Sequence, residues 1–573
     1  MNPFLNVQPP QTLLIIAPDA FMQALQPLVA HKKATGMPAM TVSISSLTGF
    51  FPGVDDPEAI KSGIAYAHKN LATRYVMLVG DAHQFPVRFY FMHRLTGESA
   101  LSNWASTTNP DGPTVVVQPY GDWIPSDLYY ANLYHHTGIY PTVVTGPFDN
   151  WDANGNGLYN EMTWIDNNNP NPDNVDGYPD VTVGRIPAHS VADVTAFVNK
   201  VIAYESSTNR GPIPFTFVAD EQYDPHNQGT KQQPHYVGSD ATDFTASVYA
   251  NSALKRASPT FLLIENTGTG FGFLPSDLPW KNASATDVAN AANVSIWVSY
   301  IGHGGPYPGT PASNASWGEW GTFGVNDVKG TASSKTLPVV FAAGCSTGRF
   351  VSDLPWNASY MDTSGNPAAQ QGNHGPFQVL TTAKPGIDGP VIVDTSTGKN
   401  WGVNCPPPGC SPLPAMLPYP NAYDFDEGDQ GFAYPWLIAN APGGAIAYFG
   451  EVSVATDIMG AELETYFLTL YGNESSPILG DIYLRAQQQY WGAHQNDNGG
   501  QVGDFHSISR CYLGWITFFG DPSLRLPSLQ DPCAEQQAAL DNYSAGDYAT
   551  EAEAKQAFIE ISHQLLECRK KYG

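Results

Sequence analysis

Two reactive side chains stand at the ends of apolar runs in the second half of the sequence. Ser295-Ile296-Trp297-Val298-Ser299-Tyr300-Ile301 leads into Gly302-His303-Gly304-Gly305, and Leu337-Pro338-Val339-Val340-Phe341-Ala342-Ala343 leads into Gly344-Cys345-Ser346-Thr347-Gly348. A thiol and an imidazole brought together make a nucleophile and its base. An imidazolium nearby also lowers the thiol pKa, so that a reactive thiolate persists. The glycines suit the same chemistry. Gly304 and Gly305 let a substrate approach the main chain, Gly344 leaves room beside the nucleophile, and the amides of Gly304 and Cys345 can face a developing oxyanion. Taken singly, such residues read as a core cysteine and a turn histidine; their joint occurrence in glycine-rich turns after two strands favours the reactive pair.

A second constellation carries oxygen ligands on alternate positions. In Asp149-Asn150-Trp151-Asp152-Ala153-Asn154-Gly155-Asn156-Gly157, the residues Asp152, Asn154 and Asn156 take the first, third and fifth places of a calcium loop. Leu158 follows at the main-chain place, Gly157 takes the sharp turn, and Glu161 comes two places early for the last ligand of an EF-hand. The expectation is a structural Ca2+ clamping a long loop, with Asp166–Asp180 as a source of ligands for a second ion. His135-His136 has no carboxylate or cysteine at metal spacing, so zinc is not expected. Gly268-Thr269-Gly270 and Gly302–Gly305 lack the Lys-Ser/Thr of a phosphate loop, and no organic cofactor is expected.

The elements that must position these groups alternate in type. Leu13–Ala17, Ala39–Ile44, Tyr75–Val79, Val181–Ile186 and Phe215–Ala219 read as strands, and Phe21–Thr35, Ile60–Leu71 and Val191–Tyr204 as helices. Near-continuously apolar strands separated by helices predict an α/β fold with mainly parallel sheets covered on both faces. In such sheets ligands sit beyond the carboxyl ends of the strands, where His303 and Cys345 emerge. The expected division is an N-terminal α/β subdomain over 1–210 and a catalytic one over 211–527. An irregular insertion occupies about 355–431, and a helical tail 528–573.

The 573 residues carry 53 acidic and 26 basic side chains, a formal net charge of −27. That balance excludes nucleic acid as the main partner, because a phosphate backbone needs a basic face. No apolar run reaches the ~18–20 residues of a membrane span. The composition, with few Lys and many Asn, Thr, Gly and Trp, suggests a secreted or cell-surface bacterial protein whose leader is not in this chain. Cys405–Cys410 and Cys533–Cys568 are candidate disulfides that fit an oxidising compartment. That leaves Cys345 and Cys511 outside the pairs. A monomer is expected.

The His-Gly, spacer, Gly-Cys arrangement resembles the caspase–legumain–gingipain–separase group of cysteine peptidases, and specifically the gingipain family. Further blocks carry the resemblance in order along residues 12–527. They are Leu13–Gly36, Tyr75–Asp81, Ser126-Asp127-Leu128-Tyr129-Tyr130, Pro179–Pro187, Cys345–Phe350, Gly443–Gly450 and Phe519-Gly520-Asp521-Pro522-Ser523-Leu524, with Trp320, Phe323 and Asp327 between His303 and Cys345. The tail has no counterpart.

The resemblance implies two adjacent caspase-like α/β/α subdomains and a cysteine endopeptidase acting on proteins and peptides. It also implies a carboxylate that orients His303; by position this falls on Asp220 or Glu221, with Glu221 preferred. An acid beneath a basic substrate side chain is implied as well, for which Asp240 is the candidate. Arg-specific members cover that pocket with a Trp; this chain has Glu451-Val452-Ser453-Val454-Ala455 there and no Trp, and it carries the 355–431 insertion besides. Cleavage after Arg or Lys is therefore an expectation only. The alternatives are a catalytically silent surface or binding protein and a transpeptidase or ligase using the same pair.

Overall fold

Eleven strands join into one sheet in the computed structural model, and all but one pair of neighbours run parallel. The structure describes residues 2–82, 84–93, 121–155, 159–160, 162–163, 171, 173–207, 213–220, 241–252, 254, 257–264, 278–305, 316–318, 322–350, 377–380, 391–394, 400–402, 411–412, 431–452, 457–496, 512–529 and 534–572. In chain order the strands of the sheet are β1 Leu13–Ala17, β2 Ala39–Ser43, β3 Tyr75–Val79, β4 Thr182–Ile186, β5 Ile213–Ala219, β6 Ala257–Leu263, β7 Trp280–Asn282, β8 Trp297–Ile301, β9 Val339–Ala343, β10 Ala447–Glu451 and β11 Ile516–Gly520. Their spatial order is β7-β6-β5-β8-β9-β10-β11-β4-β3-β1-β2. The two subdomains read from the sequence thus share a sheet, while the expected boundary at 210/211 lies outside the described residues.

The joint is β11. It lies antiparallel to β10, with Ala447 opposite Gly520 and Glu451 opposite Ile516, and parallel to β4 through Phe519 and Arg185. Strands β5, β6 and β8–β10 therefore point their carboxyl ends to one edge, and β1–β4 point theirs to the other.

Helices cover the sheet. α1 (Gln26–Ala34) packs on α3 (Val191–Ser206), and α2 (Asp56–Leu71) follows β2. α4 (Ala241–Asn251), α5 (Ala285–Ala292), α6 (Asp457–Asn473) and α7 (Leu479–His494) belong to the other half, with α6 packed against both α4 and α7. Beneath α6 and α7, one aromatic side chain per strand forms a row across the sheet. Ring centroids are 6.3 Å apart for Phe215–Trp297, 6.5 Å for Trp297–Phe341, 5.6 Å for Phe341–Phe449 and 4.6 Å for Phe449–Phe518. Such cross-strand rings fill the layer between sheet and helices, which fixes the lateral register of β5 to β11.

Local differences from the sequence reading have local causes. The stretch Phe21–Thr35 splits into a 3-10 turn, Asp19–Phe21, and α1, whose first turn contains Pro27; proline is tolerated at a helix start and not in its interior. β9 begins at Val339 because Leu337 has φ +50° and Pro338 has no N–H to give to a ladder. The insertion is less irregular than expected, since its described residues include four short strands in one small sheet, Phe377–Leu380, Val391–Asp394, Asn400–Gly402 and Ser411–Pro412. Its two ends lie together, for a Cβ on Gly431 would overlap the carbonyl of Arg349. The tail forms α8 (Ala534–Asp541) and α9 (Glu551–Tyr572).

Buried ions lock the joint strand. Asp521, just after β11, is fully buried and pairs with Lys32 at 2.7 Å, and Lys32 pairs in turn with Glu205 at 2.7 Å. Asp521 also accepts the Ser523 N–H and hydroxyl at 2.8 and 2.7 Å. Removing one member leaves a buried charge uncompensated, which costs about 3–5 kcal/mol. Asp521→Ala should therefore lower the unfolding free energy read from urea titration by that order. The double variant Asp521→Ala, Lys32→Met should recover part of the loss, whereas additive losses would show that the two groups do not act as a pair.

Candidate active site

β8 and β9 are parallel neighbours in register, Ile301 beside Ala343, so the residues after them leave the sheet at the same edge. The Gly302 N–H still reaches back to the Ala343 carbonyl at 3.1 Å. Beyond it the two turns touch. A Cβ on Gly304 would sit 2.2 Å from the carbonyl oxygen and 2.8 Å from the nitrogen of Cys345, so only glycine permits this approach. His303 and Cys345 are each partly exposed at this edge, and Cys345 carries its thiol outside any disulfide.

Each turn is pinned from outside itself. The His303 N–H donates to Asp220 Oδ2 at 3.1 Å, and the Asp220 N–H donates to the Ile301 carbonyl at 3.2 Å. Asp220 follows β5 and is buried. Of the two acids considered for the histidine, Asp220 thus grips its main chain, and Glu221 lies outside the described residues. On the nucleophile side, Ser346 adopts φ +59°, a left-handed conformation that a non-glycine residue holds only when its surroundings impose it. They do. Thr347 Oγ1 lies 2.7 Å from the Gly344 carbonyl and accepts the Glu451 N–H at 3.3 Å. Gly348 donates to the Glu451 carbonyl at 2.7 Å, and Tyr448 Oη donates to the Thr347 carbonyl at 3.0 Å. β10 therefore moulds the turn that bears Cys345. Thr347 and Tyr448 lie in two of the blocks that carry the family resemblance, but no sequence signal pairs them with each other or with Glu451.

Beneath β8 lies a buried acid. Glu464 of α6 accepts the Trp297 indole N–H at 2.9 Å and the Ser299 hydroxyl at 2.7 Å. Burial pushes its carboxyl up to about 8, against the pull of those two hydrogen bonds.

The other sequence candidates are placed as follows. Asp240, Asn156, Leu158, Glu161 and Trp320 lie outside the described residues, as do Cys405, Cys410, Cys511 and Cys533. Asp152 and Asn154 sit in a tight turn between Trp151 and Gly155, both at φ +72°, and the Asn154 N–H donates to Asp173 Oδ1 at 3.4 Å. Among the described residues no group of three or more His, Cys, Asp or Glu side chains is arranged to hold a metal. His136, for which the sequence offered no nearby carboxylate, lies between two: Nε2 is 3.0 Å from Asp180 and Nδ1 3.4 Å from Asp176. Burial lowers its pKa, but hydrogen bonds to Asp176 and Asp180 outweigh this and raise it to about 9. Both acids also receive main-chain N–H groups, Asp180 those of Leu133 and Tyr134 and Asp176 that of Tyr178. They hold the start of the hairpin formed by Tyr134–Ile139 and Thr142–Phe148.

The profile of peptidase family C25 matches residues 6–401 of this sequence. The chain belongs to peptidase family C25. This is the gingipain family of cysteine peptidases, which makes proteins and peptides the substrate class. The matched span includes the His303 and Cys345 turns, while β10 and β11 follow it in sequence yet complete the same C25 sheet. Among solved structures, the complex of Porphyromonas gingivalis RgpB pro- and mature domains shares 13% identity, over 90% of this chain and 79% of that one, at a TM-score of 0.46. The Arg-specific cysteine proteinase gingipain R (RgpB) gives 13%, the same coverages and a TM-score of 0.47. The separase–securin complex of Saccharomyces cerevisiae gives 10%, over 66% of this chain and 16% of that one, at 0.27. No curated protein sequence matches. Among the described residues no helix is long and apolar enough to cross a membrane.

The Glu464 carboxyl yields a pH test. The folded chain holds its proton up to about 8, whereas the ordinary value is 4.5. Folding therefore binds a proton between those values, and stability falls as pH rises through that window. The melting temperature of Glu464→Gln, relative to wild type, should climb between pH ~4.5 and ~8 and level off above it. A pH-independent difference would show that Glu464 does not titrate in this range.

Proposed function

We propose that this C25 peptidase is a secreted endopeptidase that hydrolyses peptide bonds through Cys345 and His303. The observation that carries the reading is the contact between the Gly304 and Cys345 main chains, because it sets a thiol and an imidazole at adjoining strand ends. The Cys345 thiolate attacks the scissile carbonyl carbon to form a tetrahedral oxyanion, which the Gly304 and Cys345 N–H groups stabilise. The C–N bond then breaks, the leaving amine takes a proton from the His303 imidazolium, and a thioester remains. Water, giving its proton back to His303, attacks the thioester, releases the carboxylate product and restores the thiol. Glu221 is proposed to hold the imidazole tautomer, as a carboxylate in that role also stabilises the imidazolium. Asp240 is proposed beneath an Arg or Lys side chain, in keeping with the acidic chain.

A calcium ion is proposed for the loop at Asp152 and Asn154, with Asn156, Leu158 and Glu161 completing the set. The support is the tight turn at Trp151–Gly155 and the Asp173 carboxylate drawn to it; its role would be to clamp the loop and not to take part in the reaction. Excess chelator should lower the melting temperature by several degrees, restored by Ca2+ and not by Mg2+, and an unchanged melting curve would remove calcium from the account.

Fluorogenic peptides varied at the residue before the cleavage point test the main reading. Turnover is expected with Arg or Lys there, and Cys345→Ala should lose at least ~10³-fold. Absence of turnover in wild type, with Cys345 resistant to iodoacetamide under reducing conditions, would leave a silent binding protein. Mass spectrometry of products formed with an added amine separates hydrolysis from transfer to that amine.

A further inference from the structure

We infer that Tyr300 is a positioning residue that aims the Gly304 N–H at the oxyanion by holding the carbonyl of His303. The inference rests on the peptidase reading of Cys345 and His303. Tyr300 lies in β8, fully buried, one strand position before the chain leaves the sheet. Its Oη donates to the His303 carbonyl and accepts the Gly318 N–H at 2.8 Å. The Gly318 N–H also approaches that carbonyl, at 2.9 Å. Two donors thus meet on one oxygen of the 303–304 peptide.

The direction of that peptide decides where its N–H points. The only cis bonds among the described residues precede prolines, so the 303–304 peptide is trans, and its N–H points opposite its C=O. Fixing the His303 carbonyl towards Tyr300 fixes the Gly304 N–H away from it. The short antiparallel ladder agrees. Gly304 stands opposite Trp317, and with the Gly318 N–H bonded to His303 the alternation of the ladder turns the Gly304 N–H outward. The Cys345 main chain lies against the Gly304 Cα, on the side that a Cβ would take.

Tyr300 is itself rigid. Its ring stacks on Trp317, with centroids 4.6 Å apart and planes 5° from parallel, and Trp317 is backed by Phe323 and Trp436. The ring also runs under the nucleophile turn, since a Cβ on Gly344 would lie 3.1 Å from Tyr300 Cε1. One side chain therefore spans both turns. Its ring supports the one with Cys345, and its hydroxyl sets the peptide plane of the other. Asp220 holds the N–H side of His303 and Tyr300 the C=O side, so only together do they define the histidine main chain.

Tyr300→Phe separates the hydroxyl from the ring. An oxyanion forms in acyl transfer and not in alkylation of the thiol by iodoacetamide, so the two reactions report on different groups. The expected result is a kcat loss of roughly 10- to 100-fold with KM within about twofold of wild type. A peptide aldehyde, which forms a tetrahedral adduct on the thiol, should bind weaker by a similar factor. The pH profile of Cys345 alkylation should stay unchanged. Equal kcat in both proteins would overturn the inference. So would joint loss of turnover and alkylation in a variant that melts far lower, since the hydroxyl would then serve the fold alone. Lack of wild-type turnover would instead fault the peptidase reading itself.

Discussion

A strand with opposite polarity on its two sides governs this molecule. β11 runs parallel to β4 and antiparallel to β10, so the sheet contains two blocks whose strands point in opposite directions. Only one block ends at the edge where His303 and Cys345 emerge, and the other faces away. The reactive turns are consequently supported by β5, β8, β9 and β10, while the N-terminal block serves as an abutment that holds β11 in place. The requirement is strict because the last strand arrives late in the chain and must enter between two strands formed from earlier segments. Long-range pairing of that kind gives no reward until both sides are present.

Buried charges are concentrated at the places where distant segments must meet. Arg185 of β4 makes a two-pronged contact with Asp127 at 2.7 and 2.6 Å and donates to the Gly80 carbonyl at 3.0 Å. Lys200 of α3 donates to the carbonyls of Leu437 and Ala445 at 2.6 and 3.1 Å, and burial lowers its pKa to about 7. Hydrophobic contact alone tolerates sliding, whereas a desolvated ion or amine accepts few geometries. The chain uses apolar rings for the body of each layer and polar groups for the joints between them.

Much of this was legible from residue types. The two reactive turns follow from apolar runs ending in Gly-His-Gly and Gly-Cys, because a parallel sheet brings strand ends to one edge whatever the intervening sequence. Three blocks that carried the family resemblance, Tyr75–Asp81, Ser126–Tyr130 and Pro179–Pro187, meet at the Arg185–Asp127–Gly80 contact, which is a physical reason for their pattern. The reversal at β11 was not legible, since a five-residue apolar strand has no mark of direction. Nor was the His136 clamp, whose partner Asp176 lies 40 positions away. The choice between Asp220 and Glu221 could not be made either, because adjacent residues at a strand end differ only in the turn that follows. Tyr300 reads as one more aromatic in an apolar strand; its hydroxyl acquires a role only when Gly318 returns beside it.

The insertion enters after Phe350 and the chain resumes at Gly431, which touches the Arg349 main chain. An excursion whose ends already meet adds almost no closure entropy however long it grows, because that term rises only with the logarithm of length. The chain between Phe350 and Gly431 can therefore lengthen at little entropic cost to the fold. The chemistry of the Cys345 turn and the length of chain between Arg349 and Gly431 are in this sense separately heritable.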